Sequence, residues 1–242
     1  MKKLILILAI LLILTGCQKE KEESTGASSG CDLITDCADS SGSDAIMTIR
    51  EKYESINGTE SSSGKTNRTI AIPEDHPLIK TSGSDILKKI ENKETFYLYV
   101  GDELCPWCRS VIEKFIEAAA KADVKEVFYI EIWDDEGEEI FRDKYVSQDG
   151  ELKKTVEGDP SYTELLKAFD NFLEDYTLTV DEDTIDVGEK RIYAPNFFYV
   201  EDGVLKKMTT GISEKQEDSR DELTTEIFED EEQLFTDFFT ND

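Results

Sequence analysis

A run of aromatic and β-branched residues, TFYLYV at 95–100, leads through Gly101-Asp102-Glu103-Leu104 into Cys105-Pro106-Trp107-Cys108. Val111, Ile112, Phe115, Ile116 and Ala119 then fall at helical spacing, and a second strand-like run, VFYIEIW, occupies 127–133. Upstream, residues 70–72 read as an edge strand. Ser82 or Ser84 caps a helix reaching Ile90, with Ile86, Leu87 and Ile90 on one face. The succession is strand, helix, strand, helix, strand. Helices that bury an apolar stripe against a sheet in this order favour an α/β fold with parallel pairing.

The alternation then breaks. Residues 134–191 read as an insertion with three parts: a polar stretch, a helix starting near Asp159-Pro160-Ser161, and a hairpin through Leu178 and Ile185. Leu165, Leu166, Phe169, Phe172 and Leu173 form the apolar side of that helix. Strands at 196–200 and 204–208 flank Glu201-Asp202-Gly203, the turn chemistry of a hairpin. The tail, 219–239, is helical, with Leu223, Ile227, Leu234, Phe235 and Phe238 on its apolar side.

Two cysteines separated by two residues at the start of a helix can close a small disulfide ring. Cys105 stands at or before the helix N-terminus, where free N–H groups and the helix dipole favour an anion. Its pKa is expected to be lowered, and the thiolate is the attacking species. Cys108, one turn inside, is expected to be more buried and to act as the resolving thiol that breaks a mixed disulfide. Pro106 suits the first helical turn, where its missing N–H costs nothing. Trp107, between the cysteines, either touches a substrate or covers the disulfide. Metal binding is the rival chemistry, but structural zinc takes four Cys or His ligands. The sole histidine, His76, lies in a Pro-Glu-Asp-His-Pro loop read as exposed, so no metal site is expected.

The N-terminus carries an address. Met1-Lys2-Lys3 precedes 11 apolar residues at 4–14, a basic start and an apolar stretch too short for a permanent span. Leu14-Thr15-Gly16-Cys17 resembles the lipobox of bacterial lipoproteins, which implies cleavage before Cys17 and a diacylglyceryl thioether on its sulfur. Residues 1–16 are thus expected to be a signal peptide. Residues 17–66 are read as a lipid-anchored tether rich in Ser, Gly and acids, with a short helical pattern at 45–56. The packed domain is expected over 67–242. Outside the cytoplasm disulfides persist, so Cys31 and Cys37 are expected to form a local structural disulfide in the tether. A second redox pair that feeds the motif is the alternative. Lys and Arg number 27 against 55 Asp and Glu, a net charge of −28. That excludes nucleic-acid binding by phosphate neutralisation and adhesion through a basic patch.

Ala194-Pro195-Asn196 directly precedes the Asp-Gly hairpin. With the CPWC motif at a strand-to-helix junction, it resembles the thioredoxin superfamily over residues 82–211 and the final helix. The resemblance implies a thioredoxin-like α/β fold: a central mixed sheet, with a helical and hairpin insertion before a cis-proline hairpin. It implies a cis bond at Pro195 and a substrate groove shaped by Trp107, Ala194 and Pro195. The insertion is topologically similar to that of the periplasmic disulfide-oxidase branch. The lipobox, the YVG strand end, CPWC and RIYAPN together resemble thioredoxin-like lipoproteins of Gram-positive bacteria, some relatives of which are called bacteriocin-transport accessory proteins.

The activity implied is thiol–disulfide exchange with protein substrates at the outer face of the cytoplasmic membrane. A membrane or extracellular redox partner is implied, with no cofactor beyond the redox-active disulfide. Reductase, oxidase and isomerase directions stay open, and a non-enzymatic accessory or binding module for secretion is the alternative. One position departs from the family pattern. Thioredoxins bury an acid in the strand before the motif, and Tyr99 stands at the matching place, six residues before Cys105. Glu131, amid apolar neighbours in VFYIEIW, is the candidate substitute as a proton shuttle, with a pKa raised by burial. The other reading has it ending the strand and pointing to solvent.

Overall fold

The computed structural model describes residues 47–181 and 183–240. The signal peptide, Cys17, Cys31 and Cys37 lie outside the described residues. The elements run α1 (Ile49–Ser55), β1 (Leu78–Lys80), α2 (Gly83–Glu91), β2 (Phe96–Gly101), α3 (Pro106–Lys121) and β3 (Val127–Glu131). The insertion adds β4 (Lys144–Gln148), β5 (Glu151–Val156), α4 (Pro160–Phe169), β6 (Glu174–Val180) and β7 (Asp183–Arg191). Then come β8 (Asn196–Glu201), β9 (Val204–Thr209) and α5 (Thr225–Phe239).

Five strands form a mixed sheet in the order β1-β3-β2-β8-β9. β3 pairs parallel with both β1 and β2, whereas β8 is antiparallel to β2 and β9. This is an α/β architecture with a mixed central sheet. Strand alternation sorts the side chains into two cores. Tyr99, Tyr129 and Phe197 lie in one core with residues of α1, α3 and α5. Leu98, Ile130 and Phe198 lie in the other with residues of α2 and α4. Full burial of a large apolar side chain is worth about 1.5–3 kcal/mol over exposure. Phe115 of α3 stacks on Phe197 with ring centroids 4.2 Å apart, so the motif helix is fixed to the centre of the sheet.

Local chemistry sets the boundaries. Ser82 Oγ accepts from the Asp85 N–H at 3.2 Å, which selects it over Ser84 as the cap of α2. Asp159 caps α4 by accepting from the Ser161 N–H at 2.8 Å, with Pro160 at the first helical position. At the β8–β9 turn Asp202 and Gly203 have φ of 51° and 75°, the two left-handed residues that an Asp-Gly hairpin requires.

Several expectations are corrected. Residues 70–72 are not a strand, and the sheet edge is β1 instead. Side chains take their N–H groups: Ile70 donates to Asn57 Oδ1 (3.1 Å), Ala71 to Glu113 Oε1 (3.0 Å) and Ile72 to Glu54 Oε1 (2.9 Å). Once those donors are used, no ladder can form. β3 ends at Glu131 rather than Trp133, because the Ile132 and Trp133 N–H groups turn to Asp102 Oδ2 at 3.3 and 3.0 Å. The final helix starts at Thr225, capped by Thr224, rather than at 219. The polar stretch after residue 134 contains the hairpin β4–β5, turning at Asp149-Gly150 with φ of 55° and 79°.

The boundary between tether and domain also moves. Among the described residues the compact unit takes in the chain from 47 onward, so the segment read as the end of a tether is part of the fold. Tyr53 of α1 is fully buried, and α1 begins with a Thr48–Glu51 capping box. Polar residues that suggest disorder instead close turns here. Asn67 N–H donates to Thr59 O and Ser61 N–H to Lys65 O, each at 2.8 Å. Arg109, the residue after Cys108, holds the segment: its guanidinium donates to Tyr53 O (2.8 Å) and Asn57 Oδ1 (2.6 Å).

Candidate active site

Cys105 is the N-cap residue of α3, and Pro106 takes the first helical position. Its Sγ accepts from the Cys108 N–H at 3.3 Å, one of the donors that the helix itself leaves free. Both cysteines are free thiols. Cys105 is 4% exposed and Cys108 0%. Burial works against the Cys105 thiolate, but hydrogen bonds from the Cys108 side chain and backbone, the Arg142 charge and the Trp107 N–H outweigh it. The thiol is held below its ordinary range. Burial pushes Cys108 well above its ordinary range, aided by the hydrogen bond and charge of Cys105. Two opposed thiols thus share one small space: one is disposed to ionise and the other to stay protonated.

The predicted groove residues come together with the motif. The Ala194–Pro195 peptide bond is cis. Cys105 Sγ donates to the Ala194 carbonyl oxygen at 3.5 Å. Trp107 is half-buried and packs with Ala194 on the core of the α3 face.

Arg142, from the insertion, was not foreseen. It is 5% exposed. Two hydrogen bonds to Glu139, at 2.7 and 2.9 Å, grip its guanidinium, which also donates to Ile192 O at 3.3 Å. Ile192 lies two residues before Ala194, which brings the guanidinium close enough for its charge to favour the Cys105 thiolate. No spacing rule links an arginine in a polar stretch to a cysteine 37 positions earlier.

Beneath α3 the departure at Tyr99 resolves itself. β2 points Tyr99 at the α3 face, where the ring stacks on Phe197 (4.6 Å, 11°) and Tyr129 (5.1 Å, 18°). Its hydroxyl lies 2.8 Å from that of Tyr53, and burial holds it well above its ordinary range. Glu131 takes neither of the two anticipated positions. It is buried on the α3 face opposite Gly101, but its carboxylate pairs with Lys52 of α1 at 2.9 Å and with Lys80 of β1. Lys52 also reaches Asp135 at 2.6 Å.

The acid beside the motif is Asp102, fully buried in the loop before it. Its carboxylate accepts from the N–H groups of Leu104 (3.0 Å), Trp133 (3.0 Å) and Ile132 (3.3 Å). Burial and the neighbouring Glu103 nevertheless push its pKa up to about 8. Its sequence signal was an acidic pair between an apolar strand and the motif, read there as plain loop. His76 is half-buried, and its Nδ1 accepts from the Leu78 N–H at 3.2 Å.

No family model matches the chain, and no curated protein matches it.

Proposed function

We propose that the chain is a thiol–disulfide oxidoreductase of thioredoxin-like fold that acts on protein disulfides through Cys105 and Cys108. The observation that carries this is Cys105 at the N-terminus of α3. Its sulfur receives the Cys108 N–H, its thiol is held low, and it lies against Ala194 O beside the cis bond to Pro195. The sheet order β1-β3-β2-β8-β9, with one antiparallel hairpin after Pro195, supports the fold reading.

In the reducing direction the Cys105 thiolate attacks one sulfur of a substrate disulfide and expels the other as a thiolate. Cys108 then attacks Cys105 Sγ, closes the Cys105–Cys108 disulfide and releases the second substrate thiol. The oxidising direction runs these steps backwards. A lowered Cys105 pKa stabilises the dithiol form and so favours the oxidising direction. Trp107 and Ala194 flank the attacked sulfur and form the groove for an extended substrate strand. The protein is placed at the outer face of the membrane by a lipid on Cys17, a reading that rests on the sequence. Among the described residues no helix is long and apolar enough to cross a membrane. Replacing Cys17 with Ala is expected to move the chain from the membrane fraction to the soluble one.

One observation favours a second reading, a non-enzymatic accessory module: Cys105 is only 4% exposed, so a substrate disulfide must displace cover to reach it. Equilibration with glutathione or dithiothreitol, combined with insulin-reduction and thiol-oxidation assays, separates the two. The enzyme reading expects a reversible Cys105–Cys108 disulfide and turnover in at least one assay, lost in Cys105→Ser. A pair inert in both assays would leave only the binding module.

A further inference from the structure

We propose that a cleft beside Leu104 selects the substrate, and that it takes a polypeptide carrying an apolar and a basic residue a few positions from its reacting cysteine. The proposal rests on the oxidoreductase reading and names the substrate class of that same site.

The cleft has a volume of about 440 Å³ and lies between the N-terminal extension, at residues 56–67, and the turn that carries Glu136 and Gly137. Leu104, directly before Cys105, forms part of its wall and is exposed. The Leu104 side chain reaches across to the turn, where its Cδ1 lies 3.6 Å from the place a Cβ on Gly137 would take. Ile56 and Trp133, both half-buried, supply the rest of the apolar lining. Trp133 packs on the same core as Cys105, Trp107 and Ala194. Leu104 by covalent adjacency and Trp133 by packing therefore join the cleft to the attacked sulfur.

The walls are fixed before a substrate arrives. The Leu104 N–H donates to Asp102 Oδ1 at 3.0 Å. In the turn, Asp134 Oδ1 accepts from the N–H groups of Glu136 (3.1 Å) and Glu138 (2.8 Å). On the opposite wall the Gly58 N–H donates to Asn67 O at 3.2 Å, and the Asn67 N–H donates to Thr59 O at 2.8 Å. A preformed cleft spares binding the cost of ordering it.

Charge chooses the occupant. The rim carries the exposed carboxylates of Glu60 and Glu136, and among the described residues no lysine or arginine lines the cleft. The lysines of the extension are engaged elsewhere, Lys52 with Glu131 and Asp135 and Lys65 with Asp218. A cleft lined by charge of one sign focuses its field on the opposite sign. The chain's own segments fail that match. Residues 18–46 hold two lysines against seven acids, and a second copy brings a further net charge of −28. Like charges that face one another across an interface repel. The complementary occupant is a basic polypeptide segment whose apolar residue meets Leu104 and Trp133.

The test uses the reduced full chain and a synthetic peptide whose cysteine is capped as a mixed disulfide with thionitrobenzoate, with a leucine and a lysine nearby. One companion peptide replaces the lysine with glutamine, and another replaces the leucine with alanine. Exchange releases thionitrobenzoate as its thiolate, which absorbance follows. Ratios of second-order rate constants on one protein cancel the intrinsic reactivity of Cys105. The lysine peptide is expected to react about fivefold faster than the glutamine peptide, as two exposed ion pairs imply, and high salt should erase the advantage. The leucine peptide should outpace the alanine peptide about fivefold. Glu60→Gln with Glu136→Gln should bring the first ratio below about twofold, and Leu104→Ala should do the same to the second. Glu91→Gln with Glu126→Gln removes equal charge at the end of β2 and β3 remote from the motif, and should preserve the first ratio. An equal fall in that control would assign the preference to overall charge and overturn the proposal. Equal rates for all three peptides would also overturn it, the result expected if residues 18–46 or a second copy filled the cleft. A wild-type chain that releases thionitrobenzoate from none of them would overturn the oxidoreductase reading, and the proposal with it.

Discussion

Arg109→Met tests whether the N-terminal extension is part of the folded unit or a decoration on it. Arg109 is 1% exposed. Its guanidinium donates to Tyr53 O (2.8 Å), Glu103 O (3.3 Å), Arg68 O (3.1 Å from Nε) and Asn57 Oδ1 (2.6 Å). Methionine keeps the apolar stem and removes only the donors. Asn57 Oδ1 keeps the Ile70 N–H, so three acceptors are stranded, at about 1–3 kcal/mol each and about 3–9 kcal/mol together. Against this stands the desolvation of the guanidinium. Among the described residues no carboxylate lies within ion-pair distance of Arg109, so its removal returns several kcal/mol. The net loss is about 3 kcal/mol.

For a folded unit of this size about 3 kcal/mol lowers Tm by roughly 6–12 °C. Thermal and urea unfolding read the total, and amide exchange in α1 reads where it falls. A loss below about 1 kcal/mol, with α1 still protected from exchange, would show that the extension docks without Arg109 and refute the reasoning.

Arg142→Met is expected to slow iodoacetamide alkylation of Cys105 about fivefold near neutral pH. The Arg142 charge favours the Cys105 thiolate, and Glu139, paired with Arg142 at 2.7 Å, offsets part of it. Glu139→Gln should accelerate the same reaction, and a matching slowdown would rule out an electrostatic origin. Glu231 in α5 is fully buried with both carboxylate oxygens unpartnered, and burial pushes its pKa from the ordinary 4.5 to about 8, against Arg68 and Lys114. The folded state therefore holds a proton that the unfolded state has lost, so this group makes stability fall as pH rises from 4.5 to about 8. Glu231→Gln should gain stability over the parent across that window and level off above it, as followed by urea unfolding. A gain independent of pH would refute the assignment. Glu131→Gln is expected to leave the rate at which the reduced Cys105–Cys108 pair reacts with a model disulfide within about twofold across pH while lowering stability, because it removes the partner of Lys52 and Lys80. A slowed, pH-shifted reaction would restore Glu131 as a proton shuttle.

What the sequence made legible follows from how far each signal reaches along the chain. The caps of α2 and α4 and the Asp202-Gly203 turn act within a few residues, and they lie where their chemistry placed them. The Asp149-Gly150 turn carries the same signal without flanking strands to read, because β5 is almost wholly exposed, β4 is at most half-buried and neither shows apolar alternation. Residues 70–72 failed for a different reason. Their apolar content is that of a strand, and both isoleucines are buried, but Asn57, Glu113 and Glu54 took their donors from distant elements. Tyr99 was judged only by the acid it replaces. Its hydroxyl partner is Tyr53, 46 positions away on the short helical pattern read within the tether.

Those distant contributions reach the motif from both added segments. The charge that bears on Cys105 comes from Arg142 in the insertion, fixed by Glu139 and by Ile192 O on the approach to Pro195. The paired hydroxyls buried under α3 come from Tyr99 in the sheet and Tyr53 in the N-terminal extension, which Arg109 holds. A bare strand-to-helix CPWC motif would leave the attacking thiol to the helix terminus alone. Here the insertion adds the Arg142 charge. Because Cys105 and Cys108 act on each other through their hydrogen bond and charge, a substitution at Arg142 that touches neither cysteine shifts both steps of the exchange.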